Sequence, residues 1–229
     1  MMQPDATTST EDGGDLTRPP LPRTLQVEVT AACNLRCRMC LVRYRPALDR
    51  LHASMSLETF GQLLKDVPHV ESVVLQGLGE PLLAPDLMKM VSLAHDRGVV
   101  VGFNTNATVL TRRRAEALID AGLDWMCISL DGATATTYEG IREGAHFGHV
   151  VRNIRQFVEA KHVAGAERPE LSIVFVAMRR NIAELPVLVA LAAELGVPAV
   201  SVQNLAHSFD DTVGRLGYDE IRNFTSEQM

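Results

Sequence analysis

Three cysteines fall within one short stretch, Ala32-Cys-Asn-Leu-Arg-Cys-Arg-Met-Cys40, spaced as C-x3-C-x2-C. They directly follow Leu25-Gln-Val-Glu-Val29, an alternating apolar run that reads as a β-strand. A cubane of four irons and four sulfides normally takes four cysteine thiolates. Cys33, Cys37 and Cys40 supply only three, which leaves one iron open, as a catalytic zinc site keeps an open position. An open iron can bind a small molecule and pass it an electron, so the spacing points to an enzyme. The bland alternative is structural zinc completed by a distant histidine such as His52 or His69.

The elements that must position this loop are legible as an alternation. Strand-like runs occur at Leu25–Val29, Ser72–Leu75, Val99–Phe103, Trp125–Leu130, Leu171–Ala177 and Ala199–Val202. Several are β-branched with little alternation, as in strands buried on both faces. Between them lie stretches at helical spacing: one capped by Ser56, one begun by Pro85 and ended before Gly98, Thr111–Ala121, Phe147–Val163, and Asn181–Leu195. Gly122 and Gly196 stand where a helix C-terminus favours positive φ. Six β-then-α units predict an α/β fold with parallel strands and right-handed crossovers. At about 30 residues per step they fall short of the roughly 250 residues of a closed barrel. The expected architecture is therefore a partial (β/α)6 TIM-like barrel over residues 23–206. Residues 1–22, rich in Thr, Ser, Asp, Gly and Pro, are expected to be a disordered leader, and 207–229 a polar tail with a weakly helical stretch at Tyr218–Phe224.

In a parallel α/β sheet, ligands bind beyond the carboxyl ends of the strands. The unusual motifs gather at such ends: the cysteine loop, Gly77-Leu-Gly-Glu-Pro-Leu82, Asn104-Thr-Asn106, Ser129-Leu-Asp-Gly132, and Gln203-Asn204. Taken together these residues resemble the radical S-adenosylmethionine (SAM) superfamily, over most of Leu25–Leu205. The resemblance implies a 4Fe-4S cluster on Cys33, Cys37 and Cys40, with SAM chelating the open iron. Reductive cleavage of SAM would give methionine and a 5′-deoxyadenosyl radical for hydrogen abstraction. It further implies that Gly77, Gly79 and Glu80 aim backbone carbonyls at the SAM amino group, and that Asn104 and Asn106 shape the rim. Ser129 and Asp131 would reach the ribose or carboxylate, Arg142 would pair with the SAM carboxylate, and Val176 would pack on adenine. Met39 stands where relatives usually have an aromatic residue, and Ala107 where many have glycine. The pattern from Ser129 through Arg142 to Asn153-Ile154 is similar to the SPASM or twitch branch, many of whose members modify peptides. No cysteine follows Cys127 in this sequence, so no cysteine-ligated auxiliary cluster is expected. Cys127 itself reads as a buried, inert thiol.

Composition narrows the partners. The formal net charge of −6 gives no basic footprint, so nucleic acid is not expected. No apolar run reaches membrane-spanning length, and clustered thiolates call for a reducing compartment, the cytoplasm. Arg36, Arg38, Arg43, Arg45 and Arg50 lie in or near the cysteine loop and suggest docking of an acidic electron donor, a flavodoxin or ferredoxin. The expected substrate is a peptide or small molecule. The rival reading is a cluster-bearing accessory protein without catalysis of its own.

Overall fold

The computed structural model describes residues 21–44 and 53–205. The expected leader up to residue 20, the tail with its Tyr218–Phe224 stretch, and Arg45, Arg50 and His52 lie outside the described residues. Six strands form one parallel sheet in chain order: β1 (Thr24–Gln26), β2 (Ser72–Val74), β3 (Val100–Thr105), β4 (Trp125–Ser129), β5 (Glu170–Ala177) and β6 (Ala199–Asn204). The described helices are α1 (Leu57–Asp66), α2 (Leu87–His95), α3 (Arg112–Asp120), α4 (Ala135–Ile141), α5 (Phe147–Val163) and α6 (Leu185–Glu194). The strand order never reverses, so right-handed crossovers lay every helix on the same side of the sheet. That is the open partial barrel expected from the repeat count.

One face is therefore packed and the other is not. Val73, Val101, Phe103, Met126, Ile128, Ile173 and Phe175 are buried beneath the helices, against Phe60, Met90, Leu118, Ile154, Phe157 and Leu188. Each such side chain contributes about 1.5–3 kcal/mol relative to exposure. The expectation of strands buried on both faces is corrected here. In β4, Met126 and Ile128 are buried while Trp125, Cys127 and Ser129 are partly exposed. Register places Asn104 beside Cys127 and Cys127 beside Ser172, and likewise Ser129 beside Val174 and Val174 beside Ser201. Among the described residues no second helical layer covers this inner face, so Asn104, Cys127 and Ser129 stay partly exposed, while Val174 between them and Ser201 is buried.

Helix starts follow the capping chemistry. The hydroxyls of Ser56, Thr111 and Thr134 accept from the backbone N–H of Thr59, Arg114 and Thr137, at 3.0, 3.4 and 3.3 Å. Such a cap contributes about 1 kcal/mol. Gly122 (φ 78°) and Gly196 (φ 73°) follow α3 and α6 in the left-handed conformation. Several boundaries differ from expectation: β3 and β6 run two residues further, taking in Asn104-Thr105 and Gln203-Asn204, α2 begins at Leu87 beyond Pro85, and β2, β4 and β5 each shift by one residue at one end. Two have a visible cause. β1 ends at Gln26, because beyond Val27 the chain leaves the sheet and Val29 accepts instead from Met55 N–H at 2.9 Å. The stretch from Asn181 opens as a 3-10 turn, Ile182–Glu184, before α6 begins at Leu185.

Candidate cluster and cofactor site

The cysteine loop is fastened on three sides. The N–H groups of Arg36 and Arg38 donate to the carbonyls of Glu143 and Ile141, at 3.0 and 2.9 Å, stitching the loop to the end of α4. The Glu80 N–H donates to the Ala32 carbonyl at 2.8 Å. Asn34 donates to the Thr108 hydroxyl at 2.7 Å and accepts from the Asn106 amide at 3.1 Å. Inside this frame Cys37 is buried, and Cys33 and Cys40 are half-buried. Burial pushes the Cys37 thiol up to about 11, against the pull of Arg142, and raises Cys33 as well.

The two glycines of the second motif are needed for contact with the first strand's loop. A Cβ on Gly79 would stand 2.0 Å from the Thr30 carbonyl oxygen and 2.8 Å from that of Ala32. One on Gly77 would overlap the Glu28 side chain, whose carboxylate accepts from Leu78 N–H at 2.6 Å. Glu80 turns its buried carboxylate inward. It accepts from the Thr105 hydroxyl (2.6 Å), Asn106 N–H (2.8 Å) and Leu82 N–H (3.2 Å), tying the ends of β2 and β3 together. Burial raises its pKa more than these donors lower it.

Asp131 is fully buried, and both carboxylate oxygens are engaged within the protein. Oδ2 accepts from Arg142 Nε and Nη2 at 2.8 and 2.7 Å, and Oδ1 accepts from Val176 N–H at 2.8 Å. Within the protein it therefore orients Arg142. Burial works against the charge of the guanidinium, and Asp131 outweighs it, so Arg142 stays protonated. Arg142 Nη1 approaches Cys37 Sγ at 3.9 Å.

The remaining expected residues divide between two places. Asn106 spends its side chain on Asn34 and on Thr108, as part of the frame. Ala107 beside it has φ 55°, a left-handed conformation that favours glycine. Such a residue costs about 1–2 kcal/mol, and Asn153 supports the turn by donating to the carbonyls of Ala107 (2.8 Å) and Thr108 (3.2 Å). Asn104 and Ser129 stand on the open inner face. Met39 and Val176 pack on one small apolar cluster formed by Ile141, Met178 and Leu205. A flat aromatic ligand such as a purine fits that chemistry. Cys127 is half-buried on the inner face beside the Ser172 hydroxyl at 3.1 Å, and burial raises its thiol.

Several residues were not foreseen. Asn181, fully buried, donates to the carbonyls of Asp131 (3.0 Å) and Val176 (2.9 Å) and accepts from Met178 N–H (2.7 Å). Glu184 accepts from the N–H of Ala133 (2.7 Å) and Thr134 (3.2 Å) and from the hydroxyls of Thr134 and Thr137. Glu143 pairs with both Arg38 and Arg43, which reduces the expected basic patch. The links of Asn181 to Asp131, of Glu184 to the start of α4 and of Glu143 to the cysteine loop are long-range contacts that no local spacing encodes.

The donor set suits a cluster. Among the described residues, no three His, Cys, Asp or Glu side chains meet closely enough to hold a single metal ion. A cubane asks for something different, since each thiolate takes its own iron and the sulfurs stand apart. The Tyr138 hydroxyl is buried with no hydrogen-bond partner among the described residues.

Comparison with known proteins agrees with this geometry. The sequence pattern of the Radical SAM superfamily matches residues 27–185. The tungsten-containing aldehyde ferredoxin oxidoreductase cofactor-modifying protein of Pyrococcus furiosus is 29% identical over 200 residues, covering 85% of this chain and 55% of that protein. PqqA peptide cyclase of Gluconobacter oxydans is 31% identical over 189 residues, covering 82% and 50%. The chain thus spans about half the length of the curated relatives it matches. The fold is shared with Streptococcus suis SuiB bound to S-adenosylmethionine, with a TM-score of 0.70 at 18% identity, over 90% of this chain and 44% of that one. No helix among the described residues is long and apolar enough to cross a membrane.

Proposed function

The chain belongs to the radical SAM superfamily, and from that premise we propose that it is an enzyme holding a 4Fe-4S cluster on Cys33, Cys37 and Cys40. When bound, the cluster supplies the electron that cleaves SAM into methionine and a 5′-deoxyadenosyl radical for hydrogen abstraction. The observation carrying this reading is the framing of the three-cysteine loop by the ends of β2, β3 and α4.

Each residue then has a physical task. Gly77 and Gly79 let main chain crowd the cysteine loop, so their backbone lies where the SAM amino group would bind. Arg142 keeps N–H groups beyond those given to Asp131 and Cys37, and these suit the SAM carboxylate. Met39 and Val176 offer apolar contact to adenine. Asn104 and Ser129 face the open side, where the reacting group of a substrate would lie near the ribose. A peptide or protein is the proposed substrate. Support comes from relatives and neighbours, among them PqqA peptide cyclase and a SuiB structure bound to precursor peptide SuiA. The electron would come from a flavodoxin or ferredoxin in a reducing cytoplasm.

The test is anaerobic reconstitution with iron and sulfide, reduction by dithionite, addition of SAM, and chromatography for 5′-deoxyadenosine. Product from the wild type and none from Cys37→Ala is expected. A loaded wild-type cluster that yields no product, with an electron paramagnetic resonance spectrum indifferent to SAM, overturns the reading.

A further inference from the structure

We propose that Arg142, with Asp131 behind it, tunes the reduction potential of the cluster through Cys37, a role that rests on the cluster assignment just made. Three groups are linked in sequence: the Asp131 carboxylate, the Arg142 guanidinium and the Cys37 sulfur. Arg142 Nε and Nη2 both grip Asp131 Oδ2, at 2.8 and 2.7 Å, and Nη1 faces Cys37 Sγ at 3.9 Å. The linkage is held from both ends. Asp131 is fixed by Val176 N–H at 2.8 Å, and its carbonyl accepts from Asn181 at 3.0 Å. On the other side, the carbonyls flanking Arg142, those of Ile141 and Glu143, hold the N–H groups of Arg38 and Arg36. The backbone bonds thus fix Arg142 against the cysteine loop, and Asp131 holds its guanidinium toward the sulfur.

Net charge and N–H donors near the ligating sulfurs are the protein's levers on the potential of an iron–sulfur cluster. Reduction adds one electron, taken from an external donor, and so one unit of negative charge. A buried guanidinium beside a ligating sulfur stabilises that added charge and raises the potential. Cys37 at 7% exposure is the most buried of the three ligands, so solvent screens this pair least. Asp131 lies one guanidinium farther away and opposes the effect in part. The potential is thus set by a difference between two fixed charges, and arginine does not titrate away its share.

The test uses the full chain, reconstituted with iron and sulfide and titrated with dithionite and mediators in the absence of SAM. The midpoint is read from the visible absorbance and from the paramagnetic signal of the reduced cluster. Arg142→Gln should move the midpoint to more negative values, and Asp131→Asn to more positive ones. Arg142→Lys should stay closer to the wild type than Arg142→Gln does. Loosened packing alone gives no reason for shifts of opposite sign. A wild-type midpoint in Arg142→Gln, or shifts of the same sign in the Gln and Asn variants, overturns the proposal. If Asp131→Asn does not fold, the ordering of the Lys and Gln variants decides it. Iron and sulfide content keeps two failures apart. A wild-type chain that loads no cluster defeats the underlying assignment, whereas loaded chains with an unmoved midpoint defeat only the tuning.

Discussion

At the scale of the residue, the site depends on atoms that are missing as much as on those present. Gly79 lets the second motif lie directly against the carbonyls of Thr30 and Ala32. The obstacle to a side chain there is backbone, which cannot swing aside as a side-chain tip can. Gly79→Ala is therefore expected to destabilise the fold by about 1–3 kcal/mol, the usual cost of overpacking, or to push the cysteine loop out of place. Urea denaturation of the apoprotein measures the first, and iron content after reconstitution the second. A variant unchanged in both would show that the loop accommodates a methyl freely. The grouping of Cys33, Cys37 and Cys40 was legible in the sequence because the three lie on one loop and are close in the chain. Asp131 was legible as important, but its pairing with Arg142 was not. A carboxylate after a strand looks the same whether or not it orients an arginine eleven positions on, as it does here.

At the scale of the element, α4 is the part that sequence patterning missed. Its seven residues, Ala135–Ile141, include two threonines and Gly140, and too few apolar positions to show a helical period. What holds it is tertiary. Thr134 caps it, and Glu184 reaches from the turn before α6 to accept four hydrogen bonds around its first turn. An acidic group there also suits the positive end of the helix. Since α4 delivers Arg142 and the carbonyls that hold the cysteine loop, Glu184 supports the site from a distance. Burial works to raise the Glu184 pKa, but the donors Thr137, Ala133 and Thr134 together lower it. A carboxylate with a folded pKa below its unfolded value stabilises the fold above the unfolded value, and loses that stabilisation as pH falls through the folded one. Glu184→Gln should accordingly cost about 1 kcal/mol at neutral pH, with the gap to wild type closing below about pH 4.5. Paired denaturant titrations at pH 7 and pH 4 measure it. A gap of the same size at both would mean that the charge of Glu184 contributes nothing.

At the scale of the whole molecule, the repeat count and the placement of every motif at a strand end were enough to predict an open barrel with its site on one rim. The half-open inner face was not legible. The β-branched runs of β3 and β5 read as doubly buried, whereas among the described residues no second helical layer covers Asn104, Cys127 and Ser129. The same architecture bears on what cluster loading does to stability. The cysteine loop sits at the rim, where Leu35 and Cys37 are buried in the core, Cys33, Met39 and Cys40 pack against it, and hydrogen bonds to Ile141, Glu143, Glu80 and Asn106 hold it in place. Cys40 itself is only half-buried, so its replacement by alanine should cost the apoprotein no more than about 1 kcal/mol. A group bound by three thiolates of the folded loop stabilises the folded state by mass action. Anaerobic thermal denaturation should thus show nearly equal midpoints for apo wild type and apo Cys40→Ala, a clear rise on reconstitution of the wild type, and little rise for the variant. Equal rises in both would place the iron elsewhere than on this loop. A large loss in the apo variant would mean instead that the Cys40 side chain carries folding energy of its own, beyond that of the buried Leu35 and Cys37.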